Sequence, residues 1–113
     1  MYLFQRTIRL EVIMARRIPK ERRMDMYKAI LNLETLEECC DFFEDLCAMT
    51  ELQSMEQRFE VASMLKKDKV YTEIMEKTNA SSATISRVNR MLNTGTGCLG
   101  LIIDRTEEAE NIR

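Results

Sequence analysis

Between positions 81 and 92 the chain reads SSATISRVNRML, a run whose side chains match the contacts that DNA offers. Ser82, Ala83, Thr84 and Ser86 are short and mostly hydroxylated, Arg87, Asn89 and Arg90 follow, and no carboxylate interrupts the run. A helix that enters a major groove needs small residues where it approaches closely. It also needs phosphate donors near its N-terminus, and Arg or Asn to form bidentate contacts with base edges. An ordinary surface helix mixes Glu with Lys, so the missing carboxylates weigh against that plainer reading. Lys66, Lys67 and Lys69 lie just upstream, where they would reach phosphate.

Other chemistries find little support. The 113 residues include no histidine, the side chain most used for acid–base work near neutral pH. There is no nucleophile elbow, no glycine-rich phosphate loop and no ligand cluster for a metal, so the expectation is a protein that is not an enzyme and holds no cofactor. Cys39, Cys40, Cys47 and Cys98 show no C-x-x-C spacing and no secretory signal of the usual shape precedes them. They read as cytosolic thiols that pack as small apolar residues, rather than zinc ligands or disulfides. No stretch reaches the length of a membrane span, so no membrane partner is expected.

The net charge of −2 does not announce a polyanion partner, but its distribution is uneven. Residues 1–30 carry a net +5, residues 31–60 a net −8, residues 61–93 a net +3 and residues 94–113 a net −2. Segregation of this kind can offer a local basic face from an acidic chain, although solvated helix faces would produce it too.

The elements that must position residues 81–92 are helices. Three glycines and one proline are too few for the turns of a sheet protein. Residues 1–23 are basic and lack a sustained period, and Pro19 interrupts them; they read as an extension or arm preceding the folded part. From Met24 the pattern becomes regular, and Tyr27, Ile30 and Leu31 predict a short amphipathic helix. Thr35 and Glu38 form a T-x-x-E capping box for a second helix. Its stripe is Leu36, Cys39, Cys40, Phe43, Leu46 and Cys47, with Glu37, Glu38, Asp41, Glu44 and Asp45 outside it. Thr50 and Gln53 suggest a second box, T-x-x-Q. The helix after it would carry Leu52, Met55, Phe59, Ala62 and Leu65, widened by Val61 and Met64, and would end at its lysines. Residues 70–92 then read as helix, tight turn, helix. The first helix spans roughly residues 71–78 around Ile74, Asn79 reverses the chain and Ser81 caps the next helix. Ile85, Val88 and Leu92 form that helix's buried stripe. Cys98, Leu99, Leu101, Ile102 and Ile103 predict a last short helix, and residues 105–113 read as a polar, frayed tail.

The string SSATISRVNRML, taken with the upstream LEECCDFFEDLC and ELQSMEQRFEVASML, resembles the YerC/YecD family of Trp-repressor-like proteins. The resemblance covers about residues 24–93. It implies an all-α helical bundle with a helix-turn-helix, an intertwined homodimer and a bacterial cytoplasmic regulator. In the Trp repressor two arginines sandwich an indole. Arg87 in ATISR matches one by motif position, and Arg58 in EQRFEV matches the other across a one-residue gap. The Trp repressor has glycine directly after the first of these arginines; here Val88 follows, and its branched side chain should encroach on the slot. Arg87 could equally bind phosphate and Arg58 pair with the acidic second helix, so tryptophan is not expected as a corepressor.

The sequence therefore predicts an arm over residues 1–23, a helix-turn-helix domain over 24–104 with its reading head at 70–92, and a tail over 105–113. The expected partners are double-stranded DNA and a second copy of the chain, and the expected role is that of a transcriptional regulator and repressor. The rival is a helical protein-interaction module using the acidic second helix. Such a module would expose aromatic or aliphatic anchors, whereas the 82–90 face offers Ser, Thr, Asn and Arg.

Overall fold

The computed structural model describes residues 18–112. The expectation of an arm before residue 18 lies outside the described residues. Those described form six helices and no strand: α1 Met24–Ile30, α2 Leu36–Leu46, α3 Met49–Lys66, α4 Tyr71–Thr78, α5 Ser82–Thr94 and α6 Cys98–Ile112. No helix among them is long and apolar enough to cross a membrane. The described residues divide into two compact units that part between Phe42 and Phe43.

In the first unit, α1 and the start of α2 bury no side chain, and Tyr27 and Leu31 are 44% and 53% exposed. Thr35 accepts the Glu38 amide at 3.0 Å, as its box requires. Glu38 does not reach back to Thr35, however; its carboxylate accepts the Glu34 N–H, one residue earlier, at 3.0 Å.

The second unit holds the core: Val61, Ala62 and Met64 from α3, Ile74 from α4, Ala80 from the turn, Ile85 and Val88 from α5, and Ile103 from α6. Leu65, Leu92 and Leu99 pack against it half-buried. The stripe expected along α3 is thus buried only toward its C-terminal end. Met55 and Phe59 remain 41% and 44% exposed, because the helices that follow α3 pack on the Val61–Ala62–Met64 side.

The box expected at Thr50 and Gln53 is not the one used. Helix α3 begins at Met49, and the Glu51 carboxylate accepts the Ala48 N–H at 2.8 Å. A charged acceptor wins over the neutral Gln53 amide and draws the start two residues upstream. At the other end the lysines do not terminate the helix alone. Asp68 takes a left-handed φ of 59°, and the Lys69 and Asp68 amides return to the Met64 and Leu65 carbonyls at 3.1 and 3.0 Å, a Schellman closure.

Helix α6 runs well past residue 105, where the polar tail was expected to begin, and Arg105 is buried with 6% exposure. Two ion pairs at 3.1 Å hold α6 to the end of α3: Lys66 with Asp104 and Lys67 with Glu107. The Lys66 side chain passes beside Gly100, where a Cβ would meet its Nζ, Cδ and Cε at 3.7–3.8 Å, an ordinary van der Waals contact.

Candidate nucleic-acid interface

The reading head is built by local chemistry. Val70 precedes α4 in an extended conformation, and α4 stops at Thr78 because Asn79 adopts φ 59°, ψ 13°. Asn enters that left-handed region at less cost than other residues with a side chain. Ser81 then caps α5, accepting the Thr84 amide at 3.1 Å and donating to the Thr84 hydroxyl at 3.1 Å. These boundaries agree with those read from the sequence.

Two side chains whose part the sequence did not disclose fix the turn. The Thr78 hydroxyl donates to the Ile74 carbonyl at 2.7 Å and accepts the Ala80 N–H at 3.1 Å, both in a buried setting. From α3, the Gln57 amide donates to the Thr78 carbonyl at 3.0 Å, across 21 positions of sequence. The first bracket ties the end of α4 to the turn, and the second ties that junction to the long helix. Ile74, Ile85 and Val88 anchor the same three helices through the core, with 0%, 0% and 1% exposure.

With that stripe inward, Ala83, Ser86, Arg87 and Arg90 form an exposed row at the i, i+3, i+4, i+7 spacing of one helix face. Ser82 is exposed at the first turn. Thr84 is half-buried and engaged with Ser81. Asn89 is half-buried as well, lining a cleft of about 400 Å³ with Lys66, Asp68, Asn93 and Asp104. The structure therefore separates Asn89 from the outward arginines.

The upstream lysines are likewise spoken for: Lys66 and Lys67 by the α6 carboxylates, and Lys69 by Glu73 at 3.9 Å. Arg58 is exposed and donates to the Ser54 hydroxyl on its own helix at 3.5 Å, rather than to a carboxylate. Neither Arg58 nor Arg87 lines the cleft described above or the two smaller ones, by residues 91–100 and between α3 and α6. Val88 points into the core between α3, α4 and α5, so its methyls are packing atoms of the bundle. Among the described residues, no cluster of His, Cys, Asp or Glu could hold a metal ion.

Residues 23–107 match the family model described as Trp repressor protein. The chain belongs to the Trp repressor family. Members of this family are non-enzymatic regulators, and the chain is one of them by descent. It is 48% identical over 85 residues to the YerC protein of Bacillus subtilis, itself described as uncharacterized, a match covering 75% of this chain and 82% of that one. Two solved structures share the fold. A candidate Trp repressor from Staphylococcus aureus aligns with a TM-score of 0.70 at 46% identity, covering 74% of this chain and 83% of that one. A TrpR-like protein from Eubacterium eligens aligns with a TM-score of 0.69 at 50% identity, covering 73% and 84%. The Trp repressor match extends to residue 107 and so takes in the buried Arg105.

Proposed function

We propose that this Trp repressor family member is a homodimeric transcriptional regulator, a repressor that reads the major groove of double-stranded DNA with α5. One observation carries the reading: the exposed row of Ala83, Ser86, Arg87 and Arg90 stands on a helix that is capped, anchored from behind and free of carboxylates from residue 81 to 92. Alanine and serine permit close approach, and the amide end of α5 with the hydroxyls of Ser82 and Ser86 suits a phosphate. Arg87 and Arg90, one and two turns further along, are the side chains able to grip guanine by two hydrogen bonds. Lys66 and Lys67 are secondary in this scheme, since each must first leave an α6 carboxylate.

The dimer is supported by what one chain leaves uncovered. Helix α2 is amphipathic yet buries no residue; Leu36 is 81% exposed and Leu46 54%. On α3, Met49, Met55 and Phe59 are exposed as well. Surfaces of this kind mark association sites. A two-fold dimer would present its α5 pair about one DNA turn, roughly 34 Å, apart and favour a near-palindromic site.

The test is a duplex selected from a random pool by the full chain, then titrated against its scrambled counterpart at several salt concentrations. Arg90→Ala should erode the difference between the two duplexes by roughly 1–3 kcal/mol. Loss of a phosphate contact should instead lower affinity for both and flatten the salt slope by about one unit. If no duplex is enriched, or if Arg87→Ala and Arg90→Ala bind both duplexes as the parent does, α5 is not the reader.

A further inference from the structure

The cations around the reading head fall into two groups. Arg87 and Arg90, on the outward row of α5, carry no ion pair. The three lysines that lead into the head are all paired. Lys69 meets Glu73 of its own segment at 3.9 Å, but Lys66 and Lys67 are held from another helix, by Asp104 and Glu107 of α6 at 3.1 Å.

Those two pairs add little to the fold. Their side chains are 34–51% exposed, and pairs so open to solvent contribute little to stability. The attachment of α6 does not rest on them alone, because Ile103 is a core residue. What they alter is the charge that the end of α3 offers. Unpaired, Lys66 and Lys67 would be two mobile cations just before α4, the helix that crosses the DNA backbone when its successor lies in the groove. Lys66 also lines a cleft with Asn89 and Asn93 of α5, so it stands at the flank of the reading helix. Along α6 the charged side chains at Asp104, Glu107, Glu108 and Glu110 are all carboxylates, and Arg105 between them is buried.

We infer that Asp104 and Glu107 are internal competitors for DNA phosphate, which hold Lys66 and Lys67 back and so limit the sequence-independent part of the affinity. The inference rests on the DNA-reading role proposed above and concerns its regulation. Each of these lysines gains a phosphate only by giving up a carboxylate, and leaves that carboxylate bare beside a polyanion. Neither cost falls on Arg87 or Arg90. Base contacts are thus made at full strength, while attraction to any duplex is held down.

A double-mutant cycle on the full chain tests this. Asp104→Asn with Glu107→Gln removes the competitors at nearly constant side-chain size, and Lys66→Gln with Lys67→Gln removes the cations. The parent, both double variants and their combination are titrated at several salt concentrations. The probes are a duplex selected from a random pool by the parent and its scrambled counterpart. Freeing the lysines should tighten binding to both duplexes roughly tenfold and steepen the salt slope by about two units. With the lysines replaced, the same carboxylate changes should leave affinity and slope as they are.

Equal tightening with the lysines absent would trace the effect to bulk charge and overturn the competition, leaving the DNA reading intact. An unaltered affinity and slope for Asp104→Asn with Glu107→Gln overturns it as well. If that double variant proves unfolded by circular dichroism, the single changes decide, each expected to add about one unit of slope. If neither the parent nor the freed variant binds any duplex, the inference falls together with the DNA reading.

Discussion

Replacing Thr78 by valine isolates the bracket that sets the reading head. The two side chains have nearly the same shape, so no cavity opens, but the hydroxyl is lost. The Ala80 N–H, on a residue 4% exposed, then has no acceptor where it now has one at 3.1 Å. An orphaned buried donor costs about 1–3 kcal/mol. The Ile74 carbonyl loses a 2.7 Å contact but stays within the α4 ladder, so its share is smaller. The sum is about 2 kcal/mol, or roughly 8–16 °C in melting temperature for a domain of this size. Thr78→Ser keeps both hydrogen bonds and sacrifices one methyl, about 0.8 kcal/mol. Valine should therefore be worse than serine, the reverse of the order that packing volume dictates. Urea unfolding followed by circular dichroism, at one fixed protein concentration, reads both variants. Valine matching the parent while serine is the least stable would mean that the methyl, and not the hydroxyl, holds the turn.

Two further outcomes follow from the same segment. Asn79, at φ 59°, should accept glycine with little change in stability, whereas Asn79→Ala should lose about 1 kcal/mol in the same urea titration; an alanine variant as stable as the glycine one would contradict the left-handed turn. Calorimetry with L-tryptophan should show no micromolar binding, since Arg58 and Arg87 line none of the three clefts described above, although Val88, packed in the core, is not what bars an indole. A micromolar constant abolished by Arg87→Ala would establish that an indole slot forms after all.

The parts of this fold legible in the sequence are those decided within a few residues. The span of α4, the reversal at Asn79 and the Ser81 cap are each set by side chains bonding their own backbone, and each stands where the pattern placed it. The start of α3 lies two residues before the Thr50 box, because the Glu51 carboxylate binds the amide of Ala48, a residue whose type carries no capping signal. Gln57 was invisible as a support for the turn, because its partner lies 21 positions away and nothing in its local spacing distinguishes it. Asn89 looked like a base reader by type; its position relative to Ile85 and Val88 turns it toward the α3–α6 cleft. Arg105 failed for the opposite reason. A charged residue amid Asp and Glu reads as tail, and only the packed structure shows it inside.

The way α6 is held to α3 bears on how salt titrations of this protein are to be interpreted. Mobile ions screen the Lys66–Asp104 attraction, whose side chains are 34% and 51% exposed. They do not screen the apolar packing of Ile103 and Leu99, which seats α6 in the core. That part of the attachment is thus indifferent to ionic strength, and some salts would tighten it. Helix α6 accordingly stays seated on α3 across the range in which counterions compete for DNA. The slope of affinity against salt then counts phosphates and not the loosening of a helix.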